Sequence, residues 1–165
     1  MPNKLFLIDG MALIYRAYFA FIRTPRITSA GEDVSAIFGF LNTLFDIQRK
    51  YEPTHLAVAL DRSEPTFRHD IFPEYKANRD ETPEAIRYAI PIIKQALELM
   101  RIPVLELAGY EADDIIGTLA RQAQKQQFET FMVTPDKDYA QLVDTTTYML
   151  KPSRGGGDPE LLDVQ

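Results

Sequence analysis

The stretch KLFLIDG at residues 4–10 decides the fold class. Its short run of consecutive apolar residues predicts a strand buried on both faces, as in a parallel sheet. The run ends directly at Asp9. The same order, an apolar strand and then a carboxylate, recurs at residues 55–60, which Asp61 follows. This recurrence is the basis of the predicted functional site.

The rest of the chain alternates between strand and helix patterns. Further strands are predicted at 102–107, 129–134 and 145–150, and helices at 12–21, 35–51, 83–100, 112–127 and 138–143. Pro91 lies inside the third of these helices, so we expect a kink or a break there. The alternation predicts an α/β fold with a central, mostly parallel five-stranded sheet and right-handed crossovers.

Acidic residues follow four of the predicted strands. In an open parallel sheet, the ligand site lies beyond the carboxyl ends of the strands. Carboxylates gathered there raise one another's pKa unless cations bind. The sequence therefore predicts a metal site built from seven acids: Asp9, Asp61, Glu111, Asp113, Asp114, Asp136 and Asp138.

Three of these acids open one amphipathic helix, in the stretch GYEADDIIG at residues 109–117. Acids in a first turn can simply complement the helix dipole, by roughly 0.3–1 kcal/mol each. Three together repel one another and favour a counter-charge. Glu111 and Asp114 share a helix face, so we expect them to bridge metal ions. Asp113 diverges from that face, and we expect it to act through a water or an outer contact.

Composition limits the type of metal ion that could bind and indicates the cellular compartment. A length of 165 residues suggests one domain. The sequence has no cysteine and only two histidines, and it has no apolar run of membrane-spanning length. Oxygen ligands alone point to Mg²⁺ or Mn²⁺. Two such ions, roughly 3.5–4 Å apart, suit in-line displacement at phosphorus and thus hydrolysis of a phosphoester. The net charge of −6 comes largely from the seven acids. The absence of cysteine and of a signal peptide favours the cytoplasm.

Residues 62–82, called the arch segment below, form an unusually long connection after Asp61. Basic and aromatic side chains alternate there, which suits a single nucleic-acid strand. Acids in the same stretch favour the alternative of a solvated excursion. We expect the segment to be partly disordered without DNA. The candidate binding residues are Arg62, Phe67, Arg68, Phe72, Tyr75, Lys76 and Arg79, with Arg16 on the first helix as a further phosphate contact or a surface ion pair.

Four motifs together resemble a known family. They are LFLIDGMALIYRAYFA, VALDRSEPTFRHDIFPEYKANRDETP, IPVLELAGYEADDIIGTLA and VTPDKDYAQLV. They are similar to the N-terminal 5′-nuclease (5′-3′ exonuclease) domains of bacterial DNA polymerase I, in the flap-endonuclease superfamily. The resemblance implies a three-layer PIN-like (resolvase-like) core with a flexible helical arch. It also implies that the seven acids bind two divalent cations, and that Arg16, Arg68, Lys76 and Arg79 match the family's basic residues.

The implied activity is hydrolysis of phosphodiester bonds at 5′ ends or flaps of DNA, as in primer removal and repair. The implied partners are DNA with a 5′ single-stranded flap or end, an RNA primer–DNA hybrid, and a covalently linked polymerase region, all in the bacterial cytoplasm at the nucleoid. We expect a catalytic core over residues 1–151. Residues 152–165 are expected to form a flexible tail leading to a helix-hairpin-helix element.

Three alternatives stay open at this point. The chain could be a DNA-binding module with little or no turnover, a PIN-type ribonuclease, or a phosphoacceptor domain of the response-regulator kind. The ribonucleases share the core but do not normally carry a long basic and aromatic segment after Asp61. The phosphoacceptor fold needs far fewer acids, and it gives no reason for the arch segment.

Overall fold

The computed structural model describes residues 3–78, 80–153 and 157–164. Strands and helices alternate for most of the chain, as the apolar patterns predict. The strands are β1 (Lys4–Asp9), β2 (His55–Ala59), β3 (Val104–Leu105), β4 (Glu129–Val133), β5 (Thr147–Lys151) and β6 (Glu160–Leu162). The helices are α1 (Gly10–Ala20), α2 (Ser35–Tyr51), α3 (Phe67–Ile71), α4 (Glu84–Leu99) and α5 (Ala112–Lys125), with a 3₁₀ helix at Lys137–Leu142.

The strands form one sheet in the order β3-β2-β1-β4-β5-β6. All neighbours are parallel except β5 and β6, which are antiparallel. The prediction of a mostly parallel α/β sheet is confirmed. The predicted number of five strands is wrong, because β6 adds a sixth from within the supposed flexible tail. Leu162 pairs with Met149 of β5 there and extends the sheet edge.

Each face of the sheet carries its own apolar core. On one face, α1, α2 and α4 pack around large buried side chains such as Phe6, Phe40 and Ile93. On the other face, α5 covers a smaller core that includes Leu7, Ile116 and Met132. Central strands are therefore buried on both sides, which explains their continuous apolar sequences. This sandwich fixes the ends of β1, β2 and β4 relative to the start of α5.

Two predicted elements differ from the structure. Helix α4 runs unbroken through Pro91, so the expected break is wrong. Pro91 lies on the exposed side of the helix, where water can satisfy the carbonyl group that loses its hydrogen bond. Strand β3 is much shorter than predicted, because it pairs with β2 only at Val104 and Leu105.

The arch segment folds back over the carboxyl edge of the sheet. It contains the short helix α3, followed by turns up to residue 78. The backbone of Phe67 donates to the carbonyl of Gly109 at 3.0 Å, which anchors α3 beside the start of α5. Within the described part of the chain, no helix is long and apolar enough to span a membrane.

Candidate metal and phosphate site

The first part of the site lies at the ends of β1 and β2 and is held by neutral donors. Asp9 caps α1, with Oδ1 accepting from the backbone of Ala12 at 3.2 Å and Oδ2 accepting from Thr134 Oγ1 at 3.0 Å. Burial raises the pKa of Asp9, and these hydrogen bonds only partly oppose it. Asp61 Oδ1 accepts from the backbone of Ala112 at 2.7 Å. This bond ties the end of β2 to the first residue of α5.

The second part of the site lies under the arch segment and is held by cations. Arg68 of α3 binds Asp114 through two parallel hydrogen bonds of 2.7 and 2.8 Å. Asp114 Oδ2 also accepts from the backbone of Glu111 at 2.9 Å. The Arg68 guanidinium lowers the pKa of Asp114, and the same pair raises the pKa of Arg68. A bidentate pair of this kind fixes geometry as well as charge.

Glu111 is buried beneath the same segment. Lys76 Nζ contacts its Oε1 at 2.7 Å, and the Tyr75 hydroxyl donates to its Oε2 at 3.2 Å. Only 7% of Glu111 is exposed. Lys76 has a φ of 58°, which residues other than glycine rarely adopt. We infer that the ion pair with Glu111 helps to offset the strain at Lys76.

Asp113 sits between the two parts and faces a groove. Its side chain is 49% exposed, and its closest cation is Arg68 at 3.8 Å. Burial raises its pKa, and the charge of Asp114 raises it further. The groove has a volume of about 660 Å³ and is also lined by Asp114, Asp136 and Asp138. Asp113 is therefore the acid of α5 that the arch segment engages least.

Asp136 and Asp138 form the outer rim of the site. Both are exposed, and Asp136 Oδ1 caps the 3₁₀ helix by accepting from the backbone of Asp138 at 3.0 Å. The backbone of Asp136 donates to Thr134 Oγ1 at 3.1 Å. Thr134 thus links this rim to Asp9, because its hydroxyl donates in turn to that carboxylate.

The carboxylates of this site are oxygen donors, which suit a hard cation, but their present contacts are not those of a metal site. Within residues 3–78, 80–153 and 157–164, no three acidic or histidine side chains are placed so that they could hold a metal ion together. Arg68 and Lys76 occupy Asp114 and Glu111. Oxygen donors alone fit Mg²⁺ or Mn²⁺ and not a thiolate or imidazole site. Of the acids at this site, Asp114 and Glu111 are thus engaged by cations of the arch segment.

Comparison with known proteins places this site in a family. Residues 4–163 match the family described as "5′-3′ exonuclease, N-terminal resolvase-like domain". The chain belongs to this family. The match covers nearly the whole sequence, including every strand and the arch segment. The predicted resemblance is therefore confirmed, and the phosphoacceptor alternative is excluded.

The relatives of this chain include a 5′-3′ exonuclease and much longer DNA polymerases. A 5′-3′ exonuclease of Aquifex aeolicus is 40% identical over 150 residues, which is 91% of this chain and 51% of the relative. DNA polymerase I of Chloroflexus aurantiacus is 46% identical over 140 residues, covering 85% of this chain and 15% of the polymerase. The chain thus spans about half or less of these relatives. A structure of T5 5′-exonuclease with bound zinc shares the fold at a TM-score of 0.70 and 18% identity, covering 99% of this chain and 59% of the other.

The other predicted site residues differ in how close they lie to the acids. Phe67 lies beside Tyr110, with ring centroids 5.7 Å apart, and under the guanidinium of Arg68. Arg16 donates to the carbonyl of Ser153, in the stretch after β5. Arg79 lies outside the described residues. The structure therefore brings Arg68, Tyr75 and Lys76 to the acids and places Arg16 against a different segment.

Two residues of the site were not predicted. Thr134 is fully buried and bonds Asp9, and Tyr139 is 4% exposed with its ring in the core beneath α5. The Tyr139 hydroxyl helps to lower the pKa of Asp9, yet it has no partner in standard hydrogen-bond geometry. Burial and the charge of Asp9 raise the pKa of Tyr139 itself, so it stays protonated. The only sequence signal was their position next to the acids after β4.

Proposed function

We propose that this exonuclease domain hydrolyses phosphodiester bonds at 5′ ends or flaps of DNA, with two divalent cations, Mg²⁺ or Mn²⁺. One observation carries the proposal: acids at a parallel sheet edge face Arg68 and Lys76 across the same site. Carboxylates provide ligands for cations, and the bases provide contacts for phosphates. Supporting evidence comes from the Aquifex aeolicus relative, named a 5′-3′ exonuclease, and from the T5 enzyme, described with bound metal.

The metal would be held by the carboxylates already described. Asp9 and Asp61 supply ligands from the strand ends, and Asp113 supplies one from α5. Glu111 and Asp114 become available when the arch segment moves, and Asp136 and Asp138 add oxygens at the rim. When bound, a pair of such cations orients the attacking water and stabilises the entering and leaving oxygens.

The proposal also gives Arg68 and Lys76 a role in binding the DNA backbone. Arg68 presents a planar fork that fits a phosphate diester as well as it fits a carboxylate. Lys76 carries a compact charge on a flexible stem. If Asp114 and Glu111 held cations instead, both bases would lose their present partners and could contact the backbone of the DNA strand. Phe67 and Tyr75 lie beside them and can stack on bases. Arg79 and Arg16 are proposed to contribute further phosphate contacts.

The larger relatives extend the proposal. The DNA polymerase I proteins that the chain matches are several times longer than the matched region. We propose that the domain acts next to a polymerase region, on displaced DNA strands and RNA primer–DNA hybrids. The bacterial cytoplasm, at the nucleoid, is the proposed location.

One observation favours a second candidate, a DNA-binding module with no turnover. The ion pairs of Arg68 and Lys76 keep two proposed ligands engaged without any metal. If those pairs do not open, Glu111 and Asp114 cannot complete the metal site, and DNA bound elsewhere on the chain is not cleaved. Cleavage and binding must therefore be measured separately.

The test is cleavage of a 5′-flap DNA by the chain in Mg²⁺ or Mn²⁺. Asp114→Ala removes a proposed ligand, and Asp46→Ala is the matched control, because Asp46 pairs with Arg49 on the exposed face of α2. We expect Asp114→Ala to lower cleavage by at least about 100-fold, the upper end for loss of an outer partner of a metal site. Equal cleavage by both variants would refute the catalytic proposal. Binding of the flap without any cleavage would support the second candidate.

A further inference from the structure

The hydroxyl of Tyr139 is buried and makes no hydrogen bond of standard geometry, although it lies close enough to Asp9 to lower the pKa of that carboxyl. The residue is only 4% exposed, and its ring packs among Leu7, Ala112 and Ile116 in the core beneath α5. Phenylalanine would fill the same space without burying a polar atom. An unpaired buried hydroxyl lowers the free energy of unfolding, so it is unusual in a native core. Its position calls for an explanation that packing alone does not give.

The surroundings of the hydroxyl point toward the acids. Burial raises the pKa of Tyr139 most, and the nearby charges of Asp9, Asp113 and Asp61 raise it further. These carboxylates come from β1, α5 and the end of β2, so the hydroxyl faces the place where the three segments meet. Arg68 and Lys76 engage Asp114 and Glu111, and Arg68 reaches Asp113 only at 3.8 Å.

The hydrogen bonds of Asp9 leave room for further partners. A carboxylate has about four lone-pair positions. The backbone of Ala12 uses one on Oδ1, and Thr134 Oγ1 uses one on Oδ2. About two positions are left, which suffices for a metal ion and for one more donor. The nearby Tyr139 hydroxyl is a suitable donor.

We propose that Tyr139 is a positioning residue of the metal site, whose hydroxyl donates to Asp9 when a cation is bound there and holds that carboxylate in its cation-binding orientation. The inference rests on the proposed function, because it assumes that Asp9 binds a divalent cation. Partners that orient metal ligands typically change metal affinity by about 10–100-fold when they are removed. Tyr139 belongs with Thr134 in this group, since both approach Asp9 from the segment after β4.

The proposal and a purely structural explanation predict different results for Tyr139→Phe. If the hydroxyl is only a tolerated polar atom, the variant should match or exceed the parent in stability, and metal binding should not change. If the hydroxyl orients Asp9, the variant should again be at least as stable in EDTA but should bind metal more weakly. Weaker metal binding without a loss of metal-free stability therefore identifies a positioning residue.

The experiment measures Mn²⁺ affinity by electron paramagnetic resonance and melting temperature in EDTA, for the parent chain and two variants. Tyr148→Phe is the matched control, because its hydroxyl donates to the carbonyl of Thr145 near the surface. We expect Tyr139→Phe to lower Mn²⁺ affinity by about 10-fold, with an unchanged or higher melting temperature in EDTA. Tyr148→Phe should leave the affinity unchanged.

Other outcomes separate this inference from the proposed function. Equal Mn²⁺ affinity of Tyr139→Phe and the parent overturns the inference but leaves the metal site standing. A lower melting temperature of Tyr139→Phe in EDTA also overturns it, because the hydroxyl would then stabilise the fold itself. Failure of the parent chain to bind Mn²⁺ at millimolar concentration overturns both proposals.

Discussion

The carboxylates on the two sides of the acidic site have different kinds of partner. On the strand-end side, Asp9 and Asp61 accept hydrogen bonds from neutral groups, mainly backbone amides and Thr134. On the arch side, Glu111 and Asp114 are bound by the charged groups of Lys76 and Arg68. The strand-end donors belong to the rigid sandwich. The arch cations belong to a long connection with few buried side chains.

This difference indicates which side can change. Backbone amides at strand and helix ends cannot leave without disrupting the sheet or α5. Side-chain cations can leave, and a divalent cation can take their place because it satisfies the same carboxylates. We therefore expect the arch side to exchange ion pairs for metal, while the strand-end side keeps its geometry. The following predictions test this asymmetry.

The largest effect is expected from Arg68→Ala. The variant leaves Asp114, which is 22% exposed with Arg68 in place, without its bidentate partner. We expect the free energy of unfolding in EDTA to fall by about 2 kcal/mol, measured by urea denaturation. The control is Arg62→Ala in the same segment, whose pair with Glu64 is exposed. It should change stability by less than about 0.5 kcal/mol.

Metal should reduce the difference in stability between the parent chain and Arg68→Ala. Mg²⁺ must displace Arg68 in the parent chain but not in Arg68→Ala, so the variant should gain more stability from the metal. An equal gain in both proteins would contradict competition between the arch cation and the metal. A loss of stability no larger than that of the Arg62 control would show that the bidentate pair is not formed in solution.

A smaller effect with a defined pH dependence is expected from Asp114→Asn. Arg68 lowers the pKa of Asp114 below its ordinary value of 3.8, so the ionised carboxylate stabilises the fold above that value. The variant should lose about 1 kcal/mol at neutral pH without metal. The difference should shrink as the pH falls through the lowered pKa, where the parent is protonated too. A difference that does not depend on pH would show that charge pairing with Arg68 is not its cause.

Sequence patterns predicted the strand-end side better than the arch side. Apolar runs that end in acids locate β1, β2 and β4, because burial on both faces leaves no other pattern for a central strand. The same logic placed Asp9 and Asp61 at one edge of the sheet. The position of α5 followed from its helical spacing, so Glu111 and Asp114 were also expected there.

The rest depended on contacts that no local pattern contains. That the bases of the arch segment contact DNA stays a prediction, but their contacts with Asp114 and Glu111, which are distant in sequence, could not be foreseen from a local pattern. Strand β6 was missed because only its antiparallel pairing with β5 makes residues after a glycine-rich stretch extended. Tyr139 was overlooked because an aromatic residue next to acids looks like ordinary core.

The smallest effect, with the opposite sign, is expected from Asp113→Asn. Burial and the neighbouring Asp114 raise the pKa of Asp113 above 3.8, so ionisation of this acid costs stability. Because the side chain is about half exposed, the variant should gain less than about 0.5 kcal/mol at neutral pH in EDTA. The gain should vanish below the ordinary pKa, where both proteins are uncharged at this position. In Mg²⁺ the sign should reverse, because the parent then gains a metal ligand that the variant lacks. If Asp113→Asn instead destabilised the metal-free chain as Asp114→Asn does, the two neighbours would share one environment, and the division of the site into two sides would be wrong.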